Sequence, residues 1–374
     1  MKILYISNSI IPSKRANSIN VMKMCQAFAD NGNQIILLAP NKKKEFEKNI
    51  EDVFRFYGVR KNFTIKKLWY PNIKGGAFFY TLSILLYILF NNKFDLIYGR
   101  FLYGCYLAPL FKIKVIYESH APIDEETKYG LFFFRNLVKS KFFKKLIVIS
   151  QSLKDLYLEK SYLLEDKIDV AHDGADEVVD FNSKIKLNGK KNNLKVGYVG
   201  HLHKGKGMEV ISSIANRGIN NTELHIIGGL EKDINFWKNK IQNKNTFFYG
   251  FVSHSKTSNY INALDICLLP NQKIVLGYGS VENGMNLSDF TSPLKLFEYM
   301  SHKKAIIASD LSVLKEILDE KNSIIVKSDD IHQWINAIEK LRNPILREKI
   351  AKQALKDFSN YTWKKRANKV ILQI

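Results

Sequence analysis

Cysteine is scarce in this chain. Only Cys25, Cys105 and Cys267 occur among 374 residues, far apart and in apolar surroundings. A disulfide framework is excluded, and there is neither a Cys-x-x-Cys pair nor a His/Cys cluster with ligand spacing, so no metal site is expected. Buried free thiols in a reducing compartment are the expected state. Membrane-spanning runs are lacking too. Ala77 to Phe90 is apolar but about 14 residues long, short of the ~20 that cross a bilayer, and reads as the buried helix of an α/β layer. The apolar residues after Met1-Lys2 are too few for a signal peptide. Short repeats and low-complexity tracts are absent. No Gly-x-Ser-x-Gly, Walker loop, zinc motif, kinase set or Asp-x-Asp is evident, which leaves hydrolase, ATPase and metal-enzyme readings without support. Acidic residues are also in deficit: 36 Asp and Glu face 57 Lys and Arg, a net charge of +21. Such an excess suits nucleic acid, an anionic membrane or an anionic substrate. The lysines are spread along the whole chain with no RNA-binding motif, so drift in composition accounts for much of it.

What is present is an α/β alternation long enough for two cores. Ile3–Ser7, Gln34–Ala39, Phe63–Leu68, Asp95–Tyr98, Lys114–Tyr117 and Leu146–Ser150 read as strands. Between them, Ile19–Asn31, closed by Gly32, and Phe78–Phe90 read as helices. The order predicts a parallel, doubly wound sheet. The polar stretch Asp180 to Asn193 lacks an apolar period and reads as a connection. A second series follows it, with strands at Lys195–Val199, Glu223–Ile227, Phe247–Tyr249 and Ile266–Leu269. Its helices are Met208–Ala215, Phe236–Asn243 and Thr257–Ala263. The domains are therefore placed at 1–180 and 194–360, with 181–193 as linker.

The most informative stretch is Thr291 to Leu318. Ser292 is a suitable N-cap and Pro293 a suitable first helical residue, ahead of an apolar face formed by Leu294, Leu296, Phe297 and Met300. Ala305–Ala308 is a short buried parallel strand, and Val313–Leu318 a second helix. A helix N-terminus offers amide N–H groups to a diphosphate. From Ser292 to Glu298 is about 9 Å at ~1.5 Å per residue, the scale on which Glu298 can accept hydrogen bonds from a ribose.

Further candidates lie at the carboxyl ends of strands, where open α/β sheets bind ligands. Gly200-His201-Leu202-His203-Lys204-Gly205-Lys206-Gly207 follows a strand, and its glycines let backbone approach a phosphate beside a cation. Asn17 and Ser18 close the polar loop after the first strand, where either can also start the helix. Glu118-Ser119-His120 follows another strand. There His120 can hydrogen-bond a sugar hydroxyl or move a proton, although a lone loop histidine is more often structural. Arg100 is a cleft or rim charge. Lys204, Lys295 and Asp289 complete the candidates.

The SPLKLFEYM segment closely resembles the retaining family 4 glycosyltransferases of GT-B fold. Glu298 matches the second of that family's motif glutamates, while the first falls at Phe290 and is missing; Asp289 stands one position away. The Gly200 loop is similar to a family pattern in which Gly200, Leu202, Lys206 and Gly207 match and His201 replaces an arginine. The charge of His201 depends on pH as that of arginine does not.

The resemblance covers the chain and implies two Rossmann-like domains facing across a cleft. It implies that the last helix, within 361–374, crosses back to the first domain, and that Asp173-Gly174-Ala175-Asp176 forms the turn between domains. It implies a metal-independent transferase with a nucleotide diphosphate sugar as co-substrate and no other cofactor. It implies as acceptor a lipid-linked glycan in bacterial polysaccharide, lipopolysaccharide or capsule synthesis. Lys206 and His120 become catalytic, and His201, Lys206, Ser292, Pro293, Leu294, Glu298, Asn17 and Ser18 donor-binding. A GT-B nucleotide-sugar epimerase and a basic nucleic-acid-binding protein stay open as alternatives, though no nucleic acid partner is expected. Finally, Tyr129 to Leu146 mixes Phe132, Phe133, Phe134, Leu137, Phe142 and Phe143 with Arg135, Lys139, Lys141, Lys144 and Lys145. Read as one basic amphipathic helix, it predicts peripheral attachment to the inner face of the cell membrane.

Overall fold

A computed structural model describes residues 1–42, 50–91, 93–123, 129–274, 286 and 288–372. The chain forms two compact units, Met1–His172 with the C-terminal segment from Trp363, and Asp173–Thr362. Each is built on a wholly parallel sheet whose central strands are mostly apolar and buried, as packing on both faces requires, while its edge strands are more exposed.

In the first unit the strands are β1 (Lys2–Ile6), β2 (Gln34–Pro40), β3 (Thr64–Leu68), β4 (Leu96–Gly99), β5 (Lys114–Ser119), β6 (Phe143–Val148) and β7 (Ile168–Val170). Their order is β3-β2-β1-β4-β5-β6-β7, so the direction of winding reverses between β1 and β4. Helix Ala16–Asp30 packs on the C-terminal helix Trp363–Ile371, while Gly76–Phe90, Leu102–Cys105 and Gly130–Val138 form a second packed group. Right-handed crossovers on either side of the switch put the two groups on opposite faces.

The second unit holds β8 (Leu194–Val199), β9 (Thr222–Ile227), β10 (Thr246–Gly250), β11 (Ile266–Leu269), β12 (Ala305–Ser309) and β13 (Ile324–Val326). Their order is β10-β9-β8-β11-β12-β13, with the switch between β8 and β11. One core layer centres on Trp334, Ile211 and Ile226, the other on Phe297, Tyr299 and Met300. Helix Leu294–Ser301 therefore lies with one face in the core and its first turn toward the carboxyl ends of the strands. The Tyr299 hydroxyl accepts the Val199 amide at 2.9 Å and ties this helix to the end of β8.

Three expectations need correction. The polar stretch 180–193 is not a linker, because the units divide at His172/Asp173 and the stretch belongs to the second unit. Its backbone amides find fixed acceptors: Ile185 on the Asn259 carbonyl, Asn188 on the Tyr249 hydroxyl, and Lys190 on the Glu223 carboxylate. Tyr129–Leu146 is not one helix. The helix ends at Val138, a turn follows, and Phe143 opens β6 with its ring buried. Lys145 then lies in a strand and pairs with Asp169 at 2.5 Å, so the basic helical face does not exist. Lastly, Pro293 occupies the N-cap position of Leu294–Ser301, and the Ser292 hydroxyl instead accepts the Asp173 amide at 2.9 Å. In the first unit likewise the helix starts at Ala16 after Arg15, which puts Asn17 and Ser18 inside its first turn.

Candidate functional site

The second unit concentrates its candidates where β8 meets β11. Beyond Val199 the chain turns through Gly200 at φ 148°, Gly205 at 87° and Gly207 at 88°, conformations that only glycine adopts without strain. A Cβ on Gly207 would collide with the Pro270 carbonyl at the end of β11, so the loop can lie flush against that strand. Trp237 Nε1 donates to the Leu202 carbonyl at 3.1 Å, and the Gln272 amide to the Gly205 carbonyl at 3.0 Å, fixing the loop from both sides.

Two lysines converge here. Lys295, in the first turn of its helix, donates from Nζ to the Tyr198 hydroxyl at 2.8 Å and stands 4.0 Å from the centroid of that ring. A Cβ built on Gly200 would come within 2.8 Å of the same Nζ, so the ammonium lies directly against the glycine turn. Burial first, and then the neighbouring Lys206, push Lys295 well below an ordinary lysine pKa. Burial alone lowers Lys206 to about 8. Two cations held close in a desolvated turn form a site prepared for a dianion. The His201 carbonyl accepts the Tyr198 hydroxyl at 2.6 Å, and its ring lies 5.8 Å from that of His203. Burial and the lysines hold His203 at about 4, so it adds no charge at neutral pH.

One turn after Lys295, Glu298 faces His254 of helix His254–Asn262, with Oε1 3.3 Å from Nδ1. Sequence reasoning missed His254, although it follows the carboxyl end of β10. Its pairing with Glu298 crosses from one helix to another and leaves no local pattern. Lys204 and Asp289 are exposed, and Asp289 accepts from the Ser288 hydroxyl at 3.1 Å.

In the first unit the candidates gather at the ends of β1, β4 and β5. Ser18 is consumed structurally, its hydroxyl bonding the Ser13 and Arg15 carbonyls and meeting the Tyr57 hydroxyl. Arg100 reaches the Asn20 carbonyl oxygen Oδ1 at 3.0 Å and the Asn17 backbone carbonyl at 3.5 Å. Glu118 is fully buried at the end of β5. Its carboxylate accepts from Tyr98, from Arg366 at 3.1 Å and from His120 Nε2 at 2.6 Å, with Arg100 Nε at 3.9 Å. Burial pushes its pKa up, but Arg366, His120 and Arg100 together hold it well below the ordinary range. His120 is lowered by burial and Arg100, against the pull of Glu118, to about 4. The imidazole is thus neutral at pH 7. Among the described residues no group of three His, Cys, Asp or Glu side chains is placed to hold a metal ion.

Residues 193–343 match the family model described as glycosyl transferases group 1, and residues 19–178 the model described as glycosyltransferase family 4. An uncharacterized glycosyltransferase of Methanocaldococcus jannaschii is 26% identical over 371 residues, covering 90% of this chain and 88% of that protein. Among solved structures, Anabaena HepE in complex with UDP superposes with a TM-score of 0.72 at 13% identity, over 99% of this chain and 98% of that one. The lipopolysaccharide outer core galactosyltransferase WaaB, in its apo form, does so with a TM-score of 0.67 at 14% identity over 100% of both chains. At these identities the structures speak for the fold: two Rossmann-like domains of GT-B type.

Proposed function

The chain is a glycosyltransferase of the GT-B, family 4 type, and from that premise we propose that it transfers a hexose from a nucleotide diphosphate sugar to a hydroxyl of a lipid-linked glycan, with retention and without a metal, in the synthesis of a bacterial surface polysaccharide or glycoconjugate. The observation that carries the donor is the Lys206 and Lys295 pair against the glycine turn after β8. A diphosphate relieves their mutual repulsion, and both cations stabilise the charge that grows as the bond from the anomeric carbon to the diphosphate oxygen breaks. Glu298, steadied by His254, accepts from the ribose. His120 meets the reacting sugar. Glu118 is already committed to Arg366, Tyr98 and His120, which supports same-face attack by the acceptor hydroxyl, whose proton leaves with the departing diphosphate, over a covalent glycosyl–carboxylate.

The UDP held by HepE and the outer-core substrate named for WaaB are consistent with this donor and acceptor class. A lipid-linked acceptor also requires access to a membrane. No helix among the described residues is long and apolar enough to cross one. Helix Gly76–Phe90, however, carries no charged residue and turns Phe78, Leu82, Leu86, Leu89 and Phe90 to solvent, with Phe78 69% and Phe90 80% exposed. Trp69, stacked edge-on against Phe79, is also exposed, as are Lys66, Lys67, Lys74 and Lys93 in the chain segments before and after this helix. Apolar side chains bordered by cations suit the surface of an anionic bilayer. The test is incubation with a panel of nucleotide sugars, with and without a lipid-linked acceptor and with and without a chelator. Release of nucleoside diphosphate that needs the acceptor and survives chelation is expected, with the product's anomeric configuration read by NMR. Inversion, or release abolished by chelation, would overturn the corresponding part of the proposal.

A further inference from the structure

Arg366 lies in the first turn of the C-terminal helix, far in sequence from every strand end of the first unit, yet its guanidinium is buried there with all three nitrogens engaged. Nε donates to the His172 carbonyl at 2.9 Å and NH2 to the Ala171 carbonyl at 3.1 Å, the last two residues before the chain leaves this unit. NH1 donates to Glu118 at 3.1 Å. A buried Arg–Glu pair is weak evidence for stability, because desolvation of both ions offsets much of their attraction. The other carboxylate oxygen suggests a different use. It sits on His120 Nε2 at 2.6 Å, and the His120 side chain, 22% exposed, is the member of the group that reaches solvent most.

We propose that Arg366 is a positioning residue for His120: it fixes Glu118 as a permanent anion, which holds the imidazole as its Nε2–H tautomer and leaves Nδ1 to accept a hydrogen bond from the reacting sugar. The proposal rests on the reading that His120 meets that sugar. An ionised carboxylate only accepts, so the imidazole nitrogen facing it must carry the proton. A neutral imidazole with Nε2–H has no proton on Nδ1, so His120 receives a hydroxyl and cannot donate to the leaving group. The charged and titratable groups around it come from four elements. They are Glu118 and His120 at the end of β5, Arg100 after β4, Arg366 on the C-terminal helix, and the buried Tyr98 and Tyr5 of β4 and β1, which burial keeps protonated. Arg366 is the foremost cation on Glu118. Without it the Glu118–His120 pair takes up its proton at higher pH, and the tautomer is no longer enforced.

Histidine side-chain nitrogen NMR on the full chain, assigned with a His120→Gln control, tests this in wild type, Arg366→Met and Arg366→Lys. In wild type His120 should remain the neutral Nε2–H form at pH 6 and above. In Arg366→Met, protonation of the pair should move up by about one pH unit or more and the tautomer signal should become mixed. The turnover number should fall roughly tenfold with the donor KM unchanged. Arg366→Lys, which keeps the charge but not the fork, should lie between, and it carries the test if Arg366→Met does not fold. An unmoved His120 titration and tautomer in the folded variant would overturn the proposal. Failure of the underlying reading looks different: His120→Ala would then keep wild-type turnover while the NMR shift in the Arg366 variants persists.

Discussion

Replacing Lys295 by Met separates a ligand-holding lysine from a structural one, because the two roles predict opposite signs. The Lys295 ammonium donates to Tyr198 at 2.8 Å and packs on that ring, yet burial and Lys206 lower its pKa well below the usual lysine range. A lysine whose folded pKa is depressed destabilises the fold, in full below that pKa and progressively less as pH climbs toward the unfolded value. Met keeps the apolar stem and removes the charge, so Lys295→Met should melt at the same temperature or higher at pH 7, with the gain fading in strong alkali. Donor affinity should move the other way. One charge-assisted bond to a phosphate is worth ~1.5–3 kcal/mol, which is roughly a 10- to 150-fold weaker Kd. Calorimetry of a nucleoside diphosphate sugar supplies a second reading. Lys206, at about 8, is half neutral at pH 8. Bringing a dianion beside it restores the charge, so binding should take up at least about half a proton, seen as a dependence of the apparent enthalpy on the buffer's ionisation enthalpy. A variant that melts lower with unchanged donor affinity, and binding with no proton uptake at pH 8, would refute the diphosphate assignment.

Glu298→Ala should weaken donor binding by about 1.5–3 kcal/mol without unfolding the chain, since its side chain lies at the site rather than in the core cluster and pairs with His254; isothermal calorimetry checks it. His120→Ala should lower turnover roughly 100-fold or more with little change in donor KM, checked by steady-state kinetics. Leu82→Asp with Leu86→Asp should abolish co-sedimentation with anionic vesicles while leaving donor affinity intact, because both side chains are exposed on a helix that contacts the core through Tyr80, Ile84 and Ile88. Replacing Lys139, Lys141, Lys144 and Lys145 with Ser should leave that sedimentation unchanged, since these residues share no helical face.

Much of the fold was legible because parallel strands buried on both faces leave short apolar blocks, and every such block in the first unit up to β6 falls within a few residues of its expected place. The Gly200 loop and Lys206 were legible for a similar reason: glycine and a cation at a strand end form a local signal. What failed was whatever depends on partners distant in the chain. Composition alone makes 180–193 a linker, and only the acceptors on Glu223, Tyr249 and Asn259 show that it is fastened. The run 129–146 has helical periodicity, but the pairing of Phe143 and Lys145 with β5 wins, since a strand in an all-parallel sheet satisfies both edges of its backbone. Apolar content made Gly76–Phe90 a buried helix. Its sheet covers one stripe only, leaving five large side chains outside.

Lys295 shows most clearly where local reading stops. Its place beside Leu294 suggested no more than a cation near a helix start. Its meaning comes from the close approach of Gly200, whose missing Cβ leaves the space the ammonium fills. The replacement of an arginine by His201 then has a physical counterpart. Position 201 of the loop carries an imidazole, and the helix that carries Glu298 brings Lys295 against the turn beside Lys206, anchored on Tyr198, whose hydroxyl also fixes the His201 carbonyl. One tyrosine thus sets both the backbone of the loop and the position of the second cation. It follows that Tyr198→Phe should weaken donor binding partly through Lys295 and partly through the loop: the double variant with Lys295→Met should bind more weakly than Lys295→Met but by less than the sum of the two single losses, whereas fully additive losses in calorimetry would show that the two residues act separately.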